Sequence, residues 1–202
     1  MSTEAKLTQY YRIHSKIYDL TRWTFLFGRN ALLRKLKPAN DALNILEVGC
    51  GTGHNLNKLC RIYPNAQITG VDLSQDMIQV AQKKLQRYTD RVRLVNSPLH
   101  ALNDDNRYDL IVFSYTLSMI NPDPESAISK AQDYLRHDGI IAVVDFRHSG
   151  AEWFKRWMWM NHVRMDNHLG GLLSKYFLQD QFNNKQAYGG LWTYFFFIGK
   201  KI

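Results

Sequence analysis

The segment from Asn44 to Gly53 joins a short apolar stretch to three closely spaced glycines, and it constrains the fold more than any other part of the chain. The apolar residues around Ile45 predict a buried strand, and an amphipathic helix is predicted from His54. Glycines at 49, 51 and 53 let the backbone turn sharply and approach a ligand where any Cβ would collide. The segment therefore predicts a strand, a loop and a helix of an α/β domain, and the loop is either a ligand site or a tight turn without a ligand.

Two acidic residues accompany this glycine loop. Glu47 interrupts the apolar strand two residues before the first glycine, where a buried carboxylate is costly unless it has a partner. A second strand over 67–72 delivers Asp72, 19 residues after the last glycine, close to where nucleoside-binding α/β domains place the acid that binds the ribose hydroxyls. A nicotinamide dehydrogenase is an alternative that the sequence favours less, because His54 and Asn55 stand where its third glycine would be expected.

Strands and helices alternate over most of the chain. We predict strands at 43–48, 67–72, 91–96, 108–114 and 139–145, and helices at 4–19, 30–37, 54–63, 75–88 and 124–137. After a turn at Asp138-Gly139 and the fifth strand, the pattern predicts helices over 151–163 and near 172–181, then strands at 184–188 and 193–199 joined at Gly189-Gly190. These elements predict an α/β fold with a mostly parallel sheet, helices on both faces and a C-terminal antiparallel hairpin.

Charge and aromatic residues are concentrated toward the two ends of the chain. The net charge is +8, with a balance of +6 over 1–37, −2 over 38–150 and +4 over 151–202, and all five tryptophans lie outside 28–146. We interpret 1–202 as a single domain in which 1–37 form a basic aromatic lid and 151–182 a helical aromatic insertion. Such segments suit an anionic membrane surface, and they also suit stacking on unpaired nucleic-acid bases.

Several classes of protein are disfavoured by the sequence. The chain contains no apolar run of 18 residues and no apolar stretch near its start, so neither a transmembrane helix nor a secretory signal is predicted. Its two cysteines, Cys50 and Cys60, suggest reduced thiols in a cytoplasm. Neither cysteine has metal-ligand spacing with a histidine, and no metal is predicted.

The ExGxGxG arrangement at 47–53, followed by the acidic end of the second strand, resembles the class I S-adenosylmethionine-dependent methyltransferases over about residues 40–145. The resemblance implies S-adenosylmethionine as the cofactor, with the glycines around its methionine part, Asp72 on the ribose, and Glu47 holding the loop or the amino group. Asn96-Ser97 departs from the pattern, because many of these enzymes have an acid there near the adenine. The implied cofactor-binding set is Glu47, Gly49, Cys50, Gly51, Gly53, Asp72, Leu73, Ser97 and Ser114.

Residues 11–29, 114–120 and 144–146 resemble a narrower group, the bacterial betaine-lipid N-methyltransferases. Those enzymes convert diacylglyceryl-homoserine to its trimethylated betaine form. The resemblance implies Tyr18, Asp19, Tyr115 and Asp145 as catalytic residues and Arg22, Arg29 and His148 as substrate-binding residues. Tyrosines and carboxylates suit a methylated ammonium, and an arginine fork suits a carboxylate or phosphate. For Asp145, an alternative role is to cap the loop after its strand.

The leading hypothesis is an S-adenosylmethionine-dependent N-methyltransferase that acts on a lipid headgroup amine at the cytoplasmic face of a membrane, as a peripheral protein. Alternative acceptors are a phosphatidylethanolamine-type phospholipid, a quinone precursor, a small amine or RNA. RNA is favoured less, because we recognise no added RNA-binding module. A third hypothesis is a cofactor-fold adaptor without activity, although an adaptor would need neither the glycine loop nor Asp72. The sequence predicts no oligomeric state.

Overall fold

The computed structural model describes residues 25–36, 43–102 and 107–202, and the chain divides into two compact units, 1–108 and 109–202. The first unit alternates helices and strands. Its strands run in the order β3-β2-β1, and both neighbouring pairs are parallel. The described elements of this unit are α1 (Arg29–Lys35), β1 (Asn44–Val48), α2 (His54–Ile62), β2 (Gln67–Asp72), α3 (Gln75–Leu85) and β3 (Val92–Asn96).

Strand pairing in the first unit brings the candidate ligand residues to one edge. Val48 pairs with Val71, and Asp72 pairs with Asn96, so the carboxyl ends of the three strands meet at the same edge of the sheet. The apolar side chains of β1 and β2 are buried, which explains why these short runs form strands. Helix α3 begins directly after this edge, because the Ser74 hydroxyl accepts the Met77 N–H at 3.3 Å and caps the helix.

The second unit carries the C-terminal part of the fold. Its strand order is β4-β5-β7-β6, and β7 is antiparallel to both β5 and β6. A short turn over Tyr188–Gly190 joins β6 to β7, as the two glycines predict. The elements are β4 (Tyr108–Ser114, whose first residue belongs to the first unit), α4 (Pro124–Tyr134), β5 (Leu135–His148), α5 (Glu152–Met160), α6 (Leu169–Tyr176), β6 (Phe177–Ala187) and β7 (Trp192–Lys201).

The predicted fold class is confirmed. The first unit has parallel strands, the second unit ends in antiparallel strands, and helices alternate with the strands as an α/β fold requires. Strands over 67–72 and 108–114 have the predicted bounds, and the helices α2 and α3 begin where predicted. The first basic helix spans Arg29–Lys35, close to the predicted 30–37. The predicted helix over 4–19 lies outside the described residues.

The C-terminal predictions are wrong in extent. Strand β5 begins at Leu135, so the predicted turn at Asp138-Gly139 lies inside the strand, where Asp138 has a φ of 63°. Helix α6 ends at Tyr176, and residues 177–187 form a strand where a helix to 181 was expected. Pairing with β7 explains the difference: Phe177 lies opposite Lys201 and Phe182 opposite Phe197, and this long-range ladder overrides the local helical pattern.

Candidate functional site

The glycine loop has the left-handed backbone that its sequence predicts. Gly49, Gly51 and Gly53 have φ values of 70°, 51° and 75°. The N–H groups of Gly49 and Cys50 donate to the Val71 carbonyl at 2.9 and 3.0 Å, so the loop is fixed across the end of β2. These three glycines are therefore required by the backbone itself, because side chains are disfavoured at positive φ.

The loop glycines nevertheless differ in their surroundings. A Cβ added to Gly51 would meet no atom within 4 Å, so this part of the loop borders open space. A Cβ on Gly53 would lie 3.0 Å from Leu85 Cδ1 and 3.1 Å from Ala81 Cβ. Gly53 thus permits close packing against α3, whereas Gly51 is the position at which a ligand can approach the backbone.

Asp72 links the end of β2 to the glycine loop. Its Oδ2 accepts the Gly51 N–H at 2.8 Å, and its Oδ1 accepts the Ser74 N–H at 2.9 Å. An ionised carboxylate offers about four acceptor positions, so a carboxylate in this place has the capacity to hold the loop and a ligand hydroxyl together. The geometry therefore fits the predicted ribose contact.

Two further predicted cofactor residues lie beside Asp72. Leu73 follows it directly and is half-buried. The Ser97 N–H donates to the Asp72 carbonyl at 3.1 Å, and Asn96 Nδ2 donates to the same oxygen at 2.9 Å. The structure thus brings Asp72, Leu73 and Ser97 together at the sheet edge, and their contacts with a cofactor stay a prediction.

Burial strongly perturbs the carboxyl group of Glu47. Its side chain is 2% exposed, and its Oε1 accepts the Asn55 amide Nδ2 at 2.8 Å. Within the described part of the chain, neither Glu47 Oε2 nor Asn55 Oδ1 has a hydrogen-bond partner. Burial raises the pKa of Glu47 from 4.5 to about 8, and the Asn55 hydrogen bond and the charge of Arg29 oppose this only in part.

This buried acceptor two residues before Gly49 fits a ligand with a cationic amino group. Bringing such a group to Glu47 would supply the partner that Oε2 lacks and would favour the ionised carboxylate. Arg29 is predicted to bind the substrate headgroup. Its positive charge also acts on Glu47 and lowers the pKa of that carboxyl group. Its predicted contact with the substrate stays a prediction.

Sequence reasoning missed two residues of this region. Asn55 donates a hydrogen bond to Glu47. The sequence feature that could have indicated it is an amide side chain at the start of the helix after the loop. Gly70 lies inside β2, where an added Cβ would lie 2.6 Å from Leu56 Cδ1 and 3.0 Å from Cys50 Sγ; a glycine within a strand was the signal there. Cys50, predicted to contact the cofactor, is buried, and burial raises the pKa of its thiol, so its backbone is the part suited to a ligand.

In the second unit, Tyr115 follows β4 in an unusual conformation. Its φ is 57°, its N–H donates to the Val144 carbonyl at 2.8 Å, and its ring meets that of Phe146 edge-on at 4.6 Å. Only 3% of the residue is exposed. A positive φ is uncommon for a bulky residue and persists where the surrounding structure enforces it, often at functional sites.

Asp145 anchors the loop after β4. It is fully buried, its Oδ1 accepts the Phe146 N–H at 2.8 Å, and its Oδ2 accepts the Ser118 N–H at 3.2 Å. Burial raises the pKa of Asp145 to about 6, against the effect of these hydrogen bonds. This geometry gives Asp145 a positioning role for residues 114–118, and direct contact with a substrate stays a prediction.

The remaining predicted site residues are dispersed. Ser114 ends β4, and its buried hydroxyl has no partner among the described residues. His148 ends β5 and is exposed. Tyr18, Asp19 and Arg22 lie outside the described residues.

Within residues 25–36, 43–102 and 107–202, no three His, Cys, Asp or Glu side chains are grouped as a metal site. In the same residues, every helix is too short or too polar to cross a membrane.

Residues 39–190 match a family model described as a methyltransferase domain, and the chain belongs to this family. Among the curated relatives, a malonyl-[acyl-carrier protein] O-methyltransferase from Priestia megaterium is 35% identical over 123 residues, which cover 60% of this chain and 44% of that protein. The match therefore spans less than half the length of this relative.

Two solved structures show the fold. Phosphoethanolamine N-methyltransferase 2 from Haemonchus contortus, in complex with S-adenosylmethionine, is 18% identical with a TM-score of 0.79, over 100% of this chain and 60% of that one. The N-methyltransferase NodS from Bradyrhizobium japonicum WM9 is 19% identical with a TM-score of 0.71, over 86% of this chain and 85% of that one. The chain therefore has the Rossmann-like methyltransferase fold.

Proposed function

We propose that this chain transfers methyl groups from S-adenosylmethionine to an amine on a lipid headgroup. The observation that carries the methyltransferase assignment is the edge of the first unit, where the open Gly51, the anchored Asp72 and the incompletely paired Glu47 lie together along the ends of β1 and β2. Each of these features would be unnecessary, and the buried Glu47 costly, in a protein without a ligand there.

The residues of this edge have separate tasks. When bound, S-adenosylmethionine supplies a methyl group on a positively charged sulfur. Gly51 would leave room for the methionine part, Asp72 would accept hydrogen bonds from the ribose hydroxyls, and Glu47 would pair with the amino group. A rigid loop that holds the cofactor in one orientation contributes to catalysis, since orientation alone can be worth roughly 7 to 11 kcal/mol in well-aligned reactions.

For the acceptor, the resemblance to betaine-lipid N-methyltransferases and the exposed side chains of Trp153 and Trp159 favour a lipid-borne amine, with diacylglyceryl-homoserine as the specific proposal. The amine nitrogen attacks the methyl carbon as the carbon–sulfur bond breaks, and the nitrogen loses a proton to a base or to water. A phosphatidylethanolamine-type lipid is the nearest variant of this proposal.

A second candidate is O-methylation of an acid held on an acyl-carrier protein. It is favoured by the 35% identity to the relative from Priestia megaterium. The two candidates differ in the acceptor atom, a nitrogen or a carboxylate oxygen, and they share the cofactor.

Calorimetry with S-adenosylmethionine tests the cofactor site. Asp72→Ala should weaken binding roughly 10- to 100-fold, because it removes charged hydrogen bonds to the ribose and the anchor of Gly51. Asp76→Ala, in the first turn of α3, is the matched control and should bind as the wild type does. Equal affinity in Asp72→Ala, or tight binding of NAD by the wild type, would remove the assignment.

Mass spectrometry of products tests the acceptor. The full chain and S-adenosylmethionine are incubated separately with micelles of diacylglyceryl-homoserine, micelles of phosphatidylethanolamine, and malonyl-acyl-carrier protein. Stepwise addition of methyl groups to the homoserine lipid is expected. Methylation of the carrier-protein substrate alone would establish the second candidate and contradict the lipid proposal.

A further inference from the structure

Helix α5 buries one apolar face, and its outer face mixes large apolar side chains with Glu152, Lys155 and Arg156. Phe154 and Met158 point into the second unit and are each 3% exposed. Trp153, Trp159 and Met160 are 68%, 62% and 65% exposed. Several large apolar side chains exposed on one helix, with charged residues beside them, are typical of a surface that contacts a partner or a membrane.

Ring contacts fix this helix to the tip of the β6–β7 hairpin. The Phe154 ring stacks on Trp192 at 5.2 Å with an interplanar angle of 14°, and Trp192 lies 4.8 Å from the ring of Tyr188. Trp192 is almost completely buried, whereas Tyr188 is 55% exposed at the turn. The exposed rings of α5 therefore belong to a supported surface that continues to Tyr188.

A basic groove runs beside the same helix. Its volume is about 610 Å³, and its charged lining consists of Lys155, Arg156 and Arg164 with the acids Glu152 and Asp166, beside His148 and Trp159. Lys155 pairs with Glu152 at 2.5 Å, and Arg164 pairs with Asp166. Arg156 has neither an ion pair nor a hydrogen bond to any described residue. The groove thus presents a guanidinium that is available to an anion, next to an exposed tryptophan.

We propose that α5, Arg156 and Tyr188 form a docking surface for an anionic lipid bilayer. Trp153, Trp159 and Met160 enter the headgroup region, and Arg156 binds a lipid phosphate in the groove. Amphipathic aromatic rings suit that depth, and the +4 balance of residues 151–202 matches a negative surface. The proposal rests on the proposed function in that a lipid acceptor requires membrane contact, but it specifies a surface that the methyltransferase site does not define.

Sedimentation with vesicles, in the absence of cofactor, tests the surface. The full chain is mixed with vesicles of phosphatidylcholine alone or of phosphatidylcholine with phosphatidylglycerol. Wild-type binding should rise with phosphatidylglycerol and weaken with salt. Arg156→Glu should weaken binding about 25-fold, since it changes the charge by two units at about 5-fold each. Trp153→Ser combined with Trp159→Ser should weaken vesicle binding roughly 10-fold or more.

Two matched controls lie at the other end of the β6–β7 pair from Tyr188. Leu178→Ser removes an apolar side chain that is 66% exposed, and Lys200→Glu makes the same charge change as Arg156→Glu. Both should bind vesicles as the wild type does. Trp153→Tyr combined with Trp159→Tyr keeps aromatic rings at the interface and should retain most of the vesicle binding. This variant separates a membrane contact from a folding defect.

The proposal is overturned if the α5 variants bind vesicles as the wild type does, or if the controls lose as much binding. It is also overturned if α5 is needed for binding an acidic carrier protein but not for binding vesicles. Calorimetry with S-adenosylmethionine on the same variants keeps the two proposals apart: intact cofactor binding without vesicle binding removes the docking surface and leaves the methyltransferase.

Discussion

Glu47→Gln should make the ligand-free protein more stable than the wild type, and this difference in the free energy of unfolding should grow as the pH rises. The carboxyl has a pKa of about 8 in the folded chain, against 4.5 ordinarily, because it is buried. Between these two pH values the unfolded chain releases the proton while the folded chain keeps it. The folded state then binds more protons, so the free energy of unfolding of the wild type falls as pH rises through this window.

The size of the effect follows from the width of that window. Each pH unit changes the free energy of unfolding by about 1.4 kcal/mol for one proton. Between pH 4.5 and about pH 8, the free energy of unfolding of the wild type should therefore fall by about 3 to 5 kcal/mol relative to that of Glu47→Gln. Glutamine has no charge to bury, and its amide oxygen can still accept the hydrogen bond that Asn55 donates.

Urea unfolding of both proteins at about pH 5 and about pH 8.5 measures this difference. Glu125→Gln is a useful control, because Lys175 and Tyr176 donate hydrogen bonds that lower the pKa of Glu125. Glu125→Gln should therefore lower the free energy of unfolding at neutral pH, whereas Glu47→Gln should raise it. A Glu47→Gln difference that does not change with pH would refute the assignment of a buried, protonated Glu47.

The same variant should bind S-adenosylmethionine more weakly, although it is more stable. In the wild type, pairing Glu47 with a cationic amino group lowers the pKa of the carboxyl, so binding near neutral pH should release up to one proton. Calorimetry in buffers of different ionisation enthalpy measures that proton. Glu47→Gln should release none, and unchanged affinity in this variant would show that the amino group binds elsewhere.

Three further substitutions probe the loop and the second unit. Gly51→Ala and Gly189→Ala both put a side chain at positive φ with no neighbour within 4 Å, so each should cost about 1 to 2 kcal/mol of stability. Only Gly51→Ala should also weaken S-adenosylmethionine binding, and equal affinities by calorimetry would show that the loop is not approached by the ligand. Asp145→Asn replaces one of two acceptor oxygens by a donor, so it should lower the free energy of unfolding by about 1 to 3 kcal/mol. An unchanged urea midpoint would exclude its anchoring role.

The sequence predicts strands β1 and β2, which carry Glu47 and Asp72, with accurate bounds. Strands β2 and β4 were predictable because each is a short, largely buried run that ends at a polar residue, Asp72 or Ser114. The glycine loop was predictable for a different reason, since its positive φ values exclude most other residues. Local sequence therefore suffices where the backbone conformation or complete burial dictates the residue.

Other features depend on contacts between distant residues. Strand β6 exposes most of its residues and has a register shift between Gln179 and Gln181, so no clean alternation marks it as a strand. Asn55 belongs to the candidate site because its side chain donates a hydrogen bond to Glu47. Gly70 became necessary only because Leu56 and Cys50 pack against β2. Such residues require the three-dimensional arrangement, which a single sequence does not contain.

The two acids of the first unit respond differently to a ligand. Asp72 is half-buried and accepts two backbone N–H groups, so the loop conformation is set before a ligand arrives. Glu47 is buried, and the hydrogen bond from Asn55 offsets this burial only in part, so its ionised form is disfavoured until a cation reaches it. A preformed loop reduces the cost of ordering on binding. In the proposed site, a carboxyl that ionises only with its partner would make binding selective for a ligand that carries both hydroxyls and a cationic amine. Of these two requirements, NAD meets the first and S-adenosylmethionine meets both.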